Sequence, residues 1–344
     1  MDDLKPAAGD SINLALQGGG AHGAFTWGVL DRLLEDPTLA FDGISGTSAG
    51  ALNACVMAAG WAEGGRDGAR AALERFWRGV SEFSSRWTPA FAGGTPFAQI
   101  QQAMAHWWLE GVARTLSPYQ LNPLGVNPLR PLIEELIDFD AVRRCNDFKL
   151  FVCATNVLSG RARIFANHEL SIDALLASAC LPQLFQAVEI DGEHYWDGGY
   201  RGNPALYPLI YHTAPNDILL VLLNPLKREK LPRNASDIAD RVNEITFNAP
   251  LLAELRAIDF VARLLDQGLL SKEAARRYRR IHIHAVGADG FLDDLKLDSK
   301  LAPEWGFLEN LRDRGRAAAD AWLARHRGDI GHRTTVDLRG DFLD

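Results

Sequence analysis

Apolar runs of strand length alternate with helix-spaced apolar positions near the start of the chain. Residues 11–17 (SINLALQ) and 41–46 (FDGISG) have the length and character of short buried strands. The segment between them has one apolar helical face, made of Val29, Leu30, Leu33 and Leu34. A second apolar helix is predicted at residues 49–59. This strand-helix-strand-helix order predicts a parallel sheet flanked by helices.

The same two patterns continue to the end of the chain. Further strands are predicted at 149–157, 161–166, 193–196, 217–223 and 280–286. Further helices are predicted at 66–80, 171–179, 236–267 and 304–326. The first two of these strands are joined by Leu158-Ser159-Gly160, which favours a hairpin. Because no repeat, low-complexity segment or clear linker interrupts the pattern, we expect one α/β domain with a helical C-terminal extension.

Composition and charge narrow the classes of protein that fit. The 344 residues are 47% hydrophobic and 23% charged, which is ordinary for a globular chain. A net charge of −8 without a dense Lys/Arg run argues against nucleic acid as a partner and against strong attraction to an anionic membrane. It leaves contact with neutral lipid open. The four cysteines lack metal or disulfide spacing. With a polar first segment (MDDLKPAAGD) and no run of membrane-spanning length, we expect a cytoplasmic protein, at most peripheral at a membrane.

A G-x-S-x-G pattern lies where the second predicted strand is followed by a helix. It reads Gly46-Thr47-Ser48-Ala49-Gly50. In hydrolases this pattern presents a nucleophilic serine on a sharp strand-to-helix turn. The plain alternative is a serine N-cap in a glycine-rich turn. Because the motif falls between a strand and a helix, as a nucleophile requires, we favour Ser48 as the nucleophile.

A glycine-rich segment, GGGAHG at 18–23, directly follows the first predicted strand. Gly18, Gly20 and Gly23 match G-x-G-x-x-G, which also occurs in dinucleotide-binding proteins. That interpretation requires an acidic residue at the end of the second strand, where this chain has Gly46-Thr47-Ser48. Successive glycines suit a loop whose backbone N–H groups approach a ligand closely and stabilise an oxyanion. A tight turn without any ligand is the third interpretation.

A serine hydroxyl needs a base that takes its proton, and the histidines do not supply an obvious one. Four of the nine lie in or near predicted strands and helices: His282, His284, His326 and His332. His22 precedes the serine, the reverse of the order in α/β-hydrolases, although convergent sites ignore chain order. Asp197 ends a strand-like segment and precedes Gly198-Gly199. An isolated Asp-Gly is more often an ordinary turn, yet a carboxylate at one strand end can reach a serine at a neighbouring strand end.

Together these segments resemble the patatin-like phospholipases. That family carries a glycine-rich oxyanion loop, a G-x-S-x-G nucleophile and a D-G-A or D-G-G motif in this order. The chain has GGGAHG at 18–23, GTSAG at 46–50 and DGG at 197–199. ASACLP at 177–182 also looks like a family segment. The agreement of three motifs in order makes the resemblance specific, whereas each motif alone is weak.

The resemblance implies a three-layer α/β/α fold with a mainly parallel central sheet. We expect residues 13–210 to form the catalytic domain. We expect residues 211–344 to form the C-terminal part of the same fold with its helical extension.

The resemblance also implies a Ser-Asp dyad without histidine, in which Ser48 is the nucleophile and Asp197 the proton acceptor. The implied oxyanion donors are Gly19 and Gly20, with Gly18 and Ala21 nearby. The other motif positions are Gly23, Gly46, Gly50, Gly198 and Gly199. Because a carboxylate is a weak base, we expect partial burial to raise the pKa of Asp197. His22 stands where many family members have Arg or Lys, so its part in holding an oxyanion or phosphate stays open.

We therefore expect a serine hydrolase that cleaves fatty-acyl esters of phospholipids or lysophospholipids through an acyl-enzyme, without a metal or other cofactor. One alternative is an esterase, thioesterase or polyester depolymerase acting on soluble or storage esters. The others are a nucleotide-binding protein that uses residues 18–23 and a non-catalytic scaffold. Residues 88–127, which include Trp107 and Trp108, are interpreted either as a lipid-facing lid or as a helical subdomain with buried aromatics.

Overall fold

A computed structural model describes residues 11–87, 117–275, 277–288, 290–292, 299–300 and 303–344. Most of the region interpreted above as a lid or aromatic subdomain, residues 88–116, therefore lies outside the described residues.

Eight strands form a single mixed sheet. They are β1 (Ser11–Leu16), β2 (Ala40–Gly46), β3 (Lys149–Asn156), β4 (Ala162–Ala166), β5 (Val188–Ile190), β6 (Glu193–Asp197), β7 (Asp217–Val221) and β8 (His282–Val286). The strand order is β5-β6-β3-β2-β1-β7-β8, and β4 pairs with β3 outside this path. The five strands from β3 to β8 along this path are parallel, whereas β4, β5 and β6 pair antiparallel.

Helices connect these strands and cover both faces of the sheet. They are α1 (Gly23–Leu34), α2 (Ala49–Trp87), α3 (Pro118–Leu121), α4 (Leu129–Leu136), α5 (Phe139–Arg144), α6 (Ile172–Ser178), α7 (Tyr207–His212), α8 (Ala235–Asp266), α9 (Lys272–Ala275) and α10 (Trp305–His326). Within the described ranges, none of the helices is both long and apolar enough to cross a membrane.

The sheet is buried on both faces, as the continuous apolar runs of its central strands predict. Along β1, Leu14 and Leu16 pack into the cluster that contains α1 and α2, whereas Ala15 packs into the cluster on the opposite face. That opposite cluster contains Leu251 and Leu255 of α8. The expected α/β class, with three layers and a mainly parallel sheet, is confirmed.

Two strands share one edge of β3. Gly46 of β2 is the register partner of Val152, and Asp197 of β6 is the partner of Ala154. Because β4 pairs with residues 151–155 of β3, it occupies the other edge. β2 and β6 therefore meet end to end beside β3, and the last residue of each strand lies near the other.

Most predicted elements are found, and the differences have local causes. The helices predicted at 49–59 and 66–80 form one element, α2, which is interrupted by non-helical backbone at Gly64 and Gly65. The strand β5 and the short helices α3, α4, α5, α7 and α9 were not predicted, because each is shorter than the stretch of about 11–18 residues over which a hydrophobic period is recognised.

The chain after residue 210 contributes to the sheet and to a helical layer. β7 pairs with the central strand β1, and β8 pairs with β7. The C-terminal helix α10 packs against α1 so closely that a Cβ at Gly315 would lie 2.1 Å from the Phe25 carbonyl oxygen. We therefore propose that residues 211–344 complete the same domain.

The α1–α10 contact gives a stability prediction with an internal control. Gly315→Ala should lower the free energy of unfolding by about 1–3 kcal/mol, because the added methyl group meets the α1 backbone. Gly306→Ala in the same helix meets nothing within 4 Å. That variant should be unchanged or more stable, by less than about 1 kcal/mol, because alanine favours a helix over glycine. Urea unfolding followed by circular dichroism measures both, and equal stabilities would contradict the packing described here.

Candidate active site

Ser48 occupies a sharp turn between β2 and α2. Its φ angle is 53°, in the left-handed region that few non-glycine residues adopt. The flanking motif glycines permit this turn. A Cβ at Gly50 would lie 2.2 Å from the Leu16 carbonyl oxygen, and one at Gly46 would lie 2.7 Å from the Ala51 nitrogen. The turn thus has the strained geometry that a strand-nucleophile-helix motif requires.

The backbone of Ser48 is held by the ASACLP segment at residues 177–182, which resembles a segment of the family. The Ser48 N–H donates to Ser178 Oγ at 2.9 Å, and Ser178 Oγ donates to the Cys153 carbonyl at 2.6 Å. Ser178 is the last residue of α6, so this helix end ties the turn to strand β3. Only the backbone of Ser48 takes part in these bonds, so its hydroxyl is available for other contacts.

Asp197 lies at the end of β6, with a side chain that is almost completely buried. Its N–H donates to the Cys180 carbonyl at 2.7 Å, and its Oδ1 accepts from the Gly199 N–H at 2.7 Å. Gly198 permits this turn, because a Cβ there would lie 2.1 Å from the Cys153 carbonyl oxygen. The Ser48 hydroxyl also lies close enough to the Asp197 carboxylate to favour its charged form.

Burial raises the pKa of Asp197 to about 7. The loss of water around the carboxylate is the largest cause, and it outweighs three effects that favour the charged form. Those effects are the hydrogen bonds from the Gly199 N–H and the Ser48 hydroxyl and the positive charge of Lys300. The expectation that burial raises this pKa agrees with the structure.

The glycine loop lies directly against the serine turn. A Cβ at Gly18 would be 2.8 Å from the Cβ of Ser48. The Gly18 N–H donates to Asn203 Oδ1 at 2.8 Å, and the Gly18 carbonyl accepts from Asn224 Nδ2 at 2.9 Å. No described residue accepts a hydrogen bond from the N–H of Gly19 or Gly20. Gly18 is therefore used to hold the loop, whereas the next two N–H groups have no acceptor within the described chain.

His22 does not bring a positive charge to this loop. It is buried, its Nε2 lies 2.7 Å from Ser299 Oγ, and its Nδ1 has no hydrogen-bond partner among the described residues. Burial, together with the nearby charge of Lys300, lowers the pKa of His22 to about 3. The imidazole is neutral at neutral pH, so its role is to anchor the loop to Ser299.

The cation beside the glycine loop is Lys300, which sequence reasoning missed. Its Nζ donates to Asn224 Oδ1 at 2.7 Å, and Asn224 in turn binds the Gly18 carbonyl. Burial lowers the pKa of Lys300 to about 8, although the carboxylates of Glu244 and Asp240 oppose the shift. No sequence signal identifies this lysine, because it lies far downstream in a charge-rich stretch typical of a solvated surface.

The histidines of the last strand lie at the opposite end of the sheet. His282 and His284 bind Asp217 Oδ1 at 3.3 Å and 3.0 Å. Asp217 is the first residue of β7, and β7 runs parallel to β1 and β2, so it starts at the end of the sheet away from the serine turn. These two side chains therefore serve a structural cluster and do not face Ser48.

The sequence profile of the patatin-like phospholipases matches residues 14–210. No curated protein matches the chain closely enough to count as a relative. Among solved structures, VipD from Legionella pneumophila is similar, with 14% identity and a TM-score of 0.39 over 97% of this chain and 73% of VipD. The profile match covers more than half of the 344 residues. The chain belongs to the patatin-like phospholipase family.

Proposed function

We propose that this protein is a serine hydrolase that cleaves fatty-acyl esters of phospholipids or lysophospholipids through a Ser48-Asp197 dyad. Members of the family are lipid acyl hydrolases, which supports the reaction class. The observation that carries the proposal is that the end of β6, with the buried Asp197 carboxylate, meets the end of β2, where Ser48 lies on the strained turn and favours the charged form of that carboxylate.

In the proposed first step, Ser48 Oγ attacks the carbonyl carbon of the ester while its proton passes to the Asp197 carboxylate. The resulting tetrahedral intermediate collapses, the bond to the alcohol breaks, and the protonated Asp197 returns the proton to the leaving oxygen. The products are an acyl-enzyme on Ser48 and a free alcohol, such as a lysophospholipid. Water, activated by Asp197, then releases the fatty acid.

The developing oxyanion needs donors that are already oriented. We assign Gly19 and Gly20 to this role, with Ala21 beside them, because the N–H groups of the two glycines have no acceptor in the described chain. Gly18 is not assigned, because its N–H already donates to Asn203. Removing one such donor in a studied protease costs about 3–4 kcal/mol of transition-state stabilisation. The positive charge of Lys300 beside the loop acts in the same direction.

A carboxylate serves as the base here because its pKa is raised. A carboxylate with its ordinary pKa is a poor acceptor for a serine proton, whereas one with a pKa of about 7 is near the optimum for catalysis at neutral pH. The same burial that makes Asp197 costly to ionise therefore makes it a useful base, and no histidine is required.

The dyad is tested by replacing each member. Ser48→Ala and Asp197→Asn should each lower hydrolysis of phospholipid vesicles and of short p-nitrophenyl esters by at least about a thousandfold. A fluorophosphonate probe should label the native protein at Ser48, as peptide mapping would show.

The same chemical changes at exposed positions serve as controls. Ser236→Ala and Asp191→Asn alter residues that are exposed to solvent, so both variants should keep the full rate. Near-native activity of folded Asp197→Asn, or probe attachment at another serine, would refute the dyad. Hydrolysis of the short esters alone would support the esterase alternative.

The pH dependence of the reaction reports on Asp197. The group must be deprotonated to accept a proton, and its pKa is about 7, so kcat/KM should fall about tenfold for each pH unit below that value. Among the described groups that interact with Asp197, Cys153, Cys180 and Tyr200 have raised pKa values and stay neutral in this range. Lys300, whose pKa is about 8, stays protonated below pH 7.

Replacing Lys300 should move this acidic limb. Lys300→Met removes a positive charge that favours ionised Asp197, so the limb should shift to higher pH, by up to about one unit. Lys300→Arg should keep the native position, and Lys272→Met, at an exposed site, should leave it unchanged. A pH–rate profile that is identical in Lys300→Met and native protein would contradict this assignment.

A further inference from the structure

The long helix α8 carries apolar residues on two opposite sides. Its inner side packs into the protein through Phe247, Leu251, Leu255 and Ile258, which are buried. Its outer side presents a second apolar stripe to solvent, made of Ala235, Ile238, Ala239, Val242, Ile245 and Ala249. Ile238, Val242 and Ile245 are 47%, 57% and 53% exposed. Because they are three or four residues apart, these side chains lie on one face of the helix.

This outer stripe lies on the same helical turns that build the active site. A Cβ at Gly199 would lie 2.2 Å from the Phe247 ring, and Asn248 Oδ1 accepts a hydrogen bond from Gln17 beside the glycine loop. Glu244, on the same inner side, opposes the lowering of the Lys300 pKa. The stripe is therefore separated from the site by about one helix diameter, roughly 10 Å.

The segment before α8, residues 230–233, combines an exposed aliphatic side chain with exposed cations. Leu231 is 76% exposed and lies between the exposed basic residues Lys230 and Arg233. Arg228, by contrast, points inward and pairs with Glu244. An exposed aliphatic side chain flanked by cations, followed by a helix with an aliphatic outer face, is typical of segments that lie in a membrane interface.

The composition of the stripe favours lipid over a protein partner. Protein interfaces concentrate their binding energy in Trp, Tyr and Arg, none of which belongs to the stripe. Branched aliphatic and alanine side chains instead suit the acyl region of a lipid layer, where shape complementarity is not required. The positive charges of Lys230 and Arg233 match anionic headgroups, although the whole chain carries a net charge of −8.

We propose that the lipid face, which consists of Leu231, Ile238, Val242 and Ile245 with Lys230 and Arg233 at its margin, docks on a phospholipid surface. This inference rests on the proposed function, because docking through the outer side of α8 brings the substrate layer to the helix that borders Ser48 and Asp197. The aliphatic residues enter the acyl boundary, and the two cations are attracted to anionic headgroups.

The test measures vesicle binding without catalysis. In a Ser48→Ala background, Ile238→Gln/Val242→Gln should bind sedimented phosphatidylcholine–phosphatidylglycerol vesicles about tenfold more weakly, because binding scales with the apolar area inserted. The control variant, Leu158→Gln/Leu269→Gln, also replaces two exposed aliphatic residues by glutamine, but outside the lipid face. It should bind as the Ser48→Ala protein does. Lys230→Gln/Arg233→Gln should weaken binding to these mixed vesicles but not to pure phosphatidylcholine vesicles.

Each outcome separates docking from catalysis. With native Ser48, the Ile238→Gln/Val242→Gln variant should hydrolyse a soluble short-chain ester at the native rate, since neither residue touches the site. Unchanged vesicle binding by this variant would overturn the docking proposal. The proposal would also be overturned if this variant kept its vesicle binding but changed its self-association in analytical ultracentrifugation. That result would assign the stripe to contact with a second copy of the chain. Vesicle binding that persists in a protein unable to hydrolyse any ester would refute the proposed function alone.

Discussion

The end-to-end meeting of β2 and β6 along one edge of β3 is the constraint on which the site depends. β2 stops at Gly46, opposite Val152, and β6 arrives from the other direction and stops at Asp197, opposite Ala154. Two chain ends cannot both continue in this space, so each must turn out of the sheet. The left-handed Ser48 and the glycine pair after Asp197 are the two turns that result. A serine and a carboxylate that are 149 residues apart in sequence thus become neighbours.

The charge state of Asp197 depends on a balance between its burial and the groups that stabilise its carboxylate. Full burial of Asp197 disfavours its charge, and the Gly199 N–H, the Ser48 hydroxyl and the Lys300 ammonium recover part of that loss. Since each pKa unit corresponds to about 1.4 kcal/mol, small changes in these neighbours alter the ionised fraction at neutral pH strongly. Lys300 is itself held by Asn224, which also binds the glycine loop, so one amide side chain links the cation to the loop.

The fold class and Ser48 were accessible from the sequence, because both depend on local patterns. The hydrophobic periods of strands and helices are visible along the chain, and the five-residue motif from Gly46 to Gly50 specifies the turn around Ser48. Asp197 was accessible only through the family resemblance, since strand register, which brings it to Ser48, leaves no local signal. Lys300 and Asn203 escaped prediction for the same reason. Their contacts with the glycine loop are made across the fold, and neither residue lies in a distinctive motif.

Three residues that support the candidate site come from beyond the region that matches the family profile, which ends at residue 210. Asn224 binds Gly18, Asn248 accepts a hydrogen bond from Gln17, and Lys300 supplies the buried charge. The serine, the carboxylate and the glycine loop all lie within that region, so it holds the groups that we propose to react, while the rest of the chain contributes to their electrostatic surroundings. Because α8 contacts the site with one side and solvent with the other, the same C-terminal part joins the candidate site to the surface that we propose to dock on lipid.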